Sequence, residues 1–101
     1  MKNPYRWDNL TSPQIKKLSE EGAIVLVPVG STEQHGPHLP VGTDALMATS
    51  MSEKLAAALD EKGVPCVVAP TIAVANSTHH MSFAGSLTLR PETYLALLRD
   101  Y

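Results

Sequence analysis

Within "GSTEQHGPHLPVGTD", residues 30–44, Glu33, His35, His38 and Asp44 carry side chains that bind metal ions, set among three glycines and two prolines. Glu33 and His35 are two apart, so in extended backbone they project to the same side. Asp44 follows a turn forced by Pro37, Pro40 and Gly42, which folds the chain back toward them. A carboxylate has two oxygens, and Asp44 could bridge two ions spaced ~3.5–4 Å apart. Oxygen and imidazole donors without a thiolate suit Zn²⁺ or Mn²⁺ better than a soft metal. Each residue also has a plainer reading. Asp44 at a helix start could serve as a cap worth ~1 kcal/mol. His35 could be a hydrogen-bonded structural residue, and Glu33 could be solvated. The metal reading rests on all three lying within one short window after a run of apolar residues.

The other histidines follow the same logic. His38 either orients a ligand from behind or packs under the loop. His79 and His80 sit in a second polar stretch, 75–86, where they could touch substrate, transfer protons or merely face solvent. His80 is the better candidate of the two. Ser77 lies close to them in sequence, but no acid–base–nucleophile order is visible around it. All four histidines of the chain fall in these two loops.

The elements around the loops supply their positions. "TSPQIKKLSEEG" reads as a short helix capped by Ser12 and ended by Gly22. Ala23–Val29 is apolar on both faces and β-branched, as a central parallel strand would be. A long helix is expected over roughly residues 44–62, with Leu46, Ala48, Met51, Leu55, Ala58 and Leu59 on its apolar face and Gly63 as its stop. "VPCVVAP" reads as a second buried strand, followed by a sheltered polar loop with a short strand at Ile72–Val74. "RPETYLALLRD" opens a third helix. Strand, loop, helix, strand is the βαβ pattern of a parallel sheet with flanking helices, an α/β fold. Ligands in such sheets bind beyond the carboxyl ends of the strands, where both histidine loops emerge.

Composition narrows the function classes. The chain has 101 residues, enough for one domain or part of one, and 44% of them are apolar. A net charge of −2 leaves no footprint for nucleic acid. Residues 63–89 contain no Asp, Glu, Lys or Arg, but Pro65, Pro70 and "NSTHH" interrupt the run, so no membrane span is expected. Cys66 is the one cysteine and reads as a small buried hydrophobe. "MKNPYRWDNLTSPQ" lacks the apolar core of a secretion signal, which makes a cytoplasmic setting the default.

The stretch "VPVGSTEQHGPHLPVGTD" resembles the signature of the creatininase (creatinine amidohydrolase) family of metal hydrolases. Pro28, Gly30, Ser31, Glu33, Gln34, His35, Gly36, Pro37, His38, Leu39, Pro40 and Asp44 all fit it. "SxxxxxFxGSLTL" over residues 77–89 resembles the family's second loop, with Ala84 in place of the usual proline and Ser86 in place of threonine. The resemblance implies a creatininase-like α/β domain of which residues 1–101 form an N-terminal part. It implies that Glu33 binds one metal, His35 the other, and that Asp44 bridges them, with Ser77 against substrate. The implied cofactor is two divalent ions, Zn²⁺ or Mn²⁺, and the implied reaction is attack of a metal-activated water on a small-molecule amide. The bond would be a cyclic or formyl amide C–N bond; some relatives instead trim a small modified peptide. The family's further ligands come from an "NGH" segment that has no counterpart here. The chain alone is therefore expected to be inactive, and a homo-oligomer is expected of the full-length form. The alternative is a non-catalytic fragment or assembly module that retains the loop.

Overall fold

Thr11, not Ser12, caps the first helix. Its hydroxyl accepts from the Gln14 N–H while the Gln14 side chain accepts from the Thr11 N–H, a reciprocal capping box. Ser12 and Pro13 then occupy the first turn of α1, Ser12–Glu20. Pro13 fits there because the N–H it lacks would have had no helical partner. The computed structural model describes residues 4–101, so the first three residues of the N-terminal stretch lie outside it.

The predicted parallel sheet is present. β1, Ile24–Leu26, pairs in parallel with β2, Cys66–Val68, in the register Ile24–Cys66, Val25–Val67 and Leu26–Val68. Between them runs α2, Thr43–Glu61, within a residue of its expected limits, and Gly63 follows it at φ +76°. α3, Pro91–Asp100, starts as expected with proline in its first turn.

The backbone contacts divide the chain into two compact units. The first comprises the residues up to Pro28 together with Ala48–Thr71, and the second Val29–Met47 with Ile72–Tyr101. In the first unit all three residues of β2 are buried, and Cys66 and Val68 pack with Ala56 of α2, Tyr5, Leu26 and Leu59. Burial there pushes the Cys66 thiol pKa up, with the charge of Asp60 adding to it, in keeping with a packing role. Among the described residues, no helix is long and apolar enough to cross a membrane.

Several expectations need correction. β1 is three residues long, not seven, and Ile24 and Val25 are about half exposed, so it is not buried on both faces. Pairing ends at Leu26; farther along, Val29 makes a single bridge to Ile72, and Ile72–Val74 forms no strand. Leu46, Met51 and Leu55 on the expected apolar face of α2 are exposed. The 75–86 loop is mostly exposed rather than sheltered, although Ser77 and Ser86 within it are buried.

Candidate metal centre

Both histidine loops belong to the second unit, where main-chain and hydroxyl hydrogen bonds lace them together. The Gly30 N–H donates to the Ile72 carbonyl at 2.8 Å, and the Thr32 hydroxyl donates to the Ala73 carbonyl at 2.7 Å. The Leu87 N–H returns to the Thr32 carbonyl at 2.8 Å, and the Gln34 N–H to the Ser86 hydroxyl at 3.1 Å. The Glu33 N–H meets the Val41 carbonyl at 3.1 Å, closing residues 33–41 into a loop whose inner rung is a bridge between His35 and Leu39. Each bond satisfies a backbone group that would be costly to leave unpaired where water is displaced.

Gly30 controls the approach of α2. A β-carbon placed on it would lie 2.7 Å from the main-chain N and Cα of Ala45 and 2.9 Å from the Asp44 carbonyl carbon. Glycine thus lets the chain after β1 pass against the first turn of α2, which carries Asp44.

His35 and Asp44 are brought together. His35 Nε2 stands 3.0 Å from Asp44 Oδ1, and Nδ1 stands 3.1 Å from the Glu33 main-chain carbonyl. A carbonyl only accepts, so Nδ1 is the protonated nitrogen and Nε2 is turned toward Asp44. The His35 pKa is raised above its ordinary 6.5, first by the Glu33 carbonyl and then by the charge and hydrogen bonding of Asp44. The Glu33 charge adds to this, and partial desolvation opposes it. The ring faces an acceptor at each nitrogen, so its Asp44 side holds either a proton or another cation.

That edge fits a divalent ion. Two ligand atoms at right angles, each bonded at ~2.1 Å, are separated by ~3 Å. The Nδ1 contact to a carbonyl is also the arrangement that fixes a metal-binding imidazole with its other nitrogen free.

The Glu33 carboxylate goes elsewhere. Among the described residues, the one group of three potential ligands with donor atoms all within 4.8 Å of one another is Glu33, His79 and His80. Glu33, His35 and Asp44 do not form such a group: Glu33 reaches His35 through its main chain and turns its side chain to His80, with Oε2 3.7 Å from Nε2. The His79 and His80 rings touch with centroids 4.1 Å apart and planes tilted by 48°. His38 is exposed and has no hydrogen-bond or ion-pair partner among the described residues. Ser77 is fully buried. Its N–H donates to the Thr88 hydroxyl at 2.9 Å, and its own Oγ has no hydrogen-bond partner among the described residues.

Three residues that the sequence placed in the family match without a role shape the site. Gln34 contacts His80, Ser86 anchors Gln34, and Gly30 admits Asp44. Their signal was present in the two matched loops, but nothing local says what a glutamine touches 46 residues away.

The chain is 41% identical over 81 residues to the mycofactocin precursor peptide peptidase of Mycobacterium ulcerans, covering 76% of this chain and 32% of that protein. It is 30% identical over 93 residues to the 3-dehydro-scyllo-inosose hydrolase of Thermotoga maritima, covering 91% and 28% respectively. The chain thus spans about a third of the length of the curated relatives it matches. A solved manganese form of creatininase superposes with a TM-score of 0.84 over 95% of this chain and 38% of that one, at 20% identity, a likeness of fold. The profile of the creatininase (creatinine amidohydrolase) family matches residues 8–101. With nearly the whole chain inside that profile and the fold in agreement, the protein belongs to the creatininase family.

Proposed function

We propose that the chain carries part of the metal centre of a hydrolase that breaks an amide C–N bond, with Glu33, His35 and Asp44 as ligands to divalent ions. The observation that carries this reading is the 3.0 Å edge between His35 Nε2 and Asp44 Oδ1, with Nδ1 held by the Glu33 carbonyl. Zinc or manganese suits the oxygen and imidazole donors, and the creatininase of similar fold was solved with manganese. When bound, a divalent pair would acidify a water and draw charge from the scissile carbonyl.

The chain's own groups supply the rest. His35 gives up the proton on Nε2 and keeps the one on Nδ1, donated to the Glu33 carbonyl. Asp44 offers a carboxylate in the first turn of α2. The unpaired, buried Ser77 Oγ carries a cost of ~1–3 kcal/mol. A polar substrate atom or a water would relieve it, which supports Ser77 as a substrate contact.

Of the substrate readings, a small modified peptide gains from the 41% identity to a peptidase. The cyclic or formyl amide reading rests on the family name. A cytoplasmic, homo-oligomeric enzyme remains part of the proposal, and a non-catalytic assembly module is its rival. Calorimetric titration of the chain with Mn²⁺ or Zn²⁺ tests the centre. Saturable binding is expected, weakened at least tenfold by His35→Ala and by Asp44→Asn. Wild-type affinity in both variants would remove the proposed centre and leave the module reading.

A further inference from the structure

We propose that His80 is a positioning residue for the Glu33 carboxylate and not a metal ligand, and that Gln34 makes it so by fixing which ring nitrogen carries the proton. The proposal rests on the reading of Glu33 as a ligand. It starts at the main-chain N–H of Gly36, which folds back onto the side chain of Gln34. That N–H can only donate, and it meets Gln34 Oε1 at 2.9 Å. The amide orientation is thereby set, and its NH₂ group points away from Gly36. Gln34 Nε2 then lies 2.8 Å from His80 Nδ1.

An amide NH₂ only donates, so His80 Nδ1 accepts. The neutral ring must carry its proton on Nε2, the atom that faces Glu33 Oε2 at 3.7 Å. An N–H dipole aimed at a carboxylate attracts it at that distance without a formal hydrogen bond. The same tautomer leaves Nε2 without a lone pair for a cation. Glu33, His79 and His80 therefore look like a ligand triad by distance but fail as one by chemistry. His35 has the opposite arrangement: its Nδ1 meets a carbonyl, so Nε2 is the nitrogen that can bind metal.

Both ends of the relay are anchored. Gln34 is held by its N–H to the buried Ser86 hydroxyl, and His80 by its N–H to the Ser77 carbonyl in the turn Thr78–His80. The relay gives Gln34, in the middle of the metal-binding loop, a chemical reason to be glutamine. Glutamate at this position would present only acceptors and reverse the ring.

The test reads the tautomer directly. Long-range ¹⁵N–¹H correlation spectra of the metal-free chain should show His80 protonated on Nε2, and Gln34→Glu should move the proton to Nδ1. In parallel, metal titrations should show His80→Ala weakening Mn²⁺ or Zn²⁺ binding roughly tenfold. His80→Gln, which keeps an N–H donor, should recover most of that loss. A wild-type His80 protonated on Nδ1 overturns the assignment, as does a His80→Gln variant that loses metal as fully as Glu33→Gln. If Glu33→Gln itself leaves metal affinity unchanged, the ligand reading of Glu33 fails, and the positioning role fails with it. The Nε2 tautomer of His80 would survive that result, so the two failures are distinguishable.

Discussion

His35 faces an acceptor at each ring nitrogen, and this gives its two possible partners opposite pH dependences. In the metal-free chain the protonated ring pairs with Asp44. Its pKa is raised on folding, so this pairing contributes stability fully below the ordinary value of 6.5, and the contribution is lost as pH rises through the raised value. Metal binding runs the other way, because Nε2 must lose its proton before it can ligate. Metal affinity should therefore climb as pH rises through the raised His35 pKa and level off above it. Replacing Asp44 with asparagine removes the carboxylate charge that helps to raise the His35 pKa and should move the inflection downward. Titrations at a series of pH values check this. An affinity flat across that range would show that His35 is not the group that yields its proton.

At the scale of elements, what was legible in the sequence was what local chemistry dictates. α2 could be bounded closely because helix-forming residues, an acidic first turn and Gly63 all speak within a few positions. β2 was legible from an uncharged β-branched run. β1 was over-extended because composition reports a preference for extended backbone, while strand length is set by a partner, and β2 pairs with only three of its residues. The site divides in the same way. The approach of His35 to Asp44 depends on a turn only nine residues long and was anticipated. The swing of Glu33 toward His80 depends on how two loops are laced together, which no local spacing encodes. Gly30 carries the most severe element-level constraint. Gly30→Ala would force the first turn of α2 to retreat from a 2.7 Å contact, at a cost of about 1–3 kcal/mol. It should also weaken metal binding by displacing Asp44. Gly42→Ala, where a β-carbon meets nothing within 4 Å, is the matched control. Chemical denaturation and metal titration of both variants check the contrast, and equal behaviour would mean that the approach of α2 is not set at Gly30.

The whole molecule distributes its stability unevenly between its two units. The first keeps a small apolar core of Ala56 from α2 with Cys66 and Val68 from β2. In the second, the buried residues are Ile72, Ser77 and Ser86, and two of these are polar. Leu39, Val41, Phe83, Leu87 and Leu95 in that unit are exposed. The second unit is thus held mainly by the hydrogen bonds that lace its loops, each worth only about 0.5–1.5 kcal/mol net. Such a region opens locally at lower free energy than one closed by apolar packing. A ligand that binds only the closed form then stabilises it by mass action, by about 2.7 kcal/mol at a hundredfold excess over its dissociation constant. Saturating Mn²⁺ or Zn²⁺ should therefore slow amide hydrogen exchange chiefly in Val29–Met47 and Ile72–Tyr101. β2, where apolar burial already limits opening, should change little. Exchange followed by mass spectrometry with and without metal measures this. Protection gained first in β1 and β2 would place the metal's stabilising contacts outside the loops that carry His35 and Asp44.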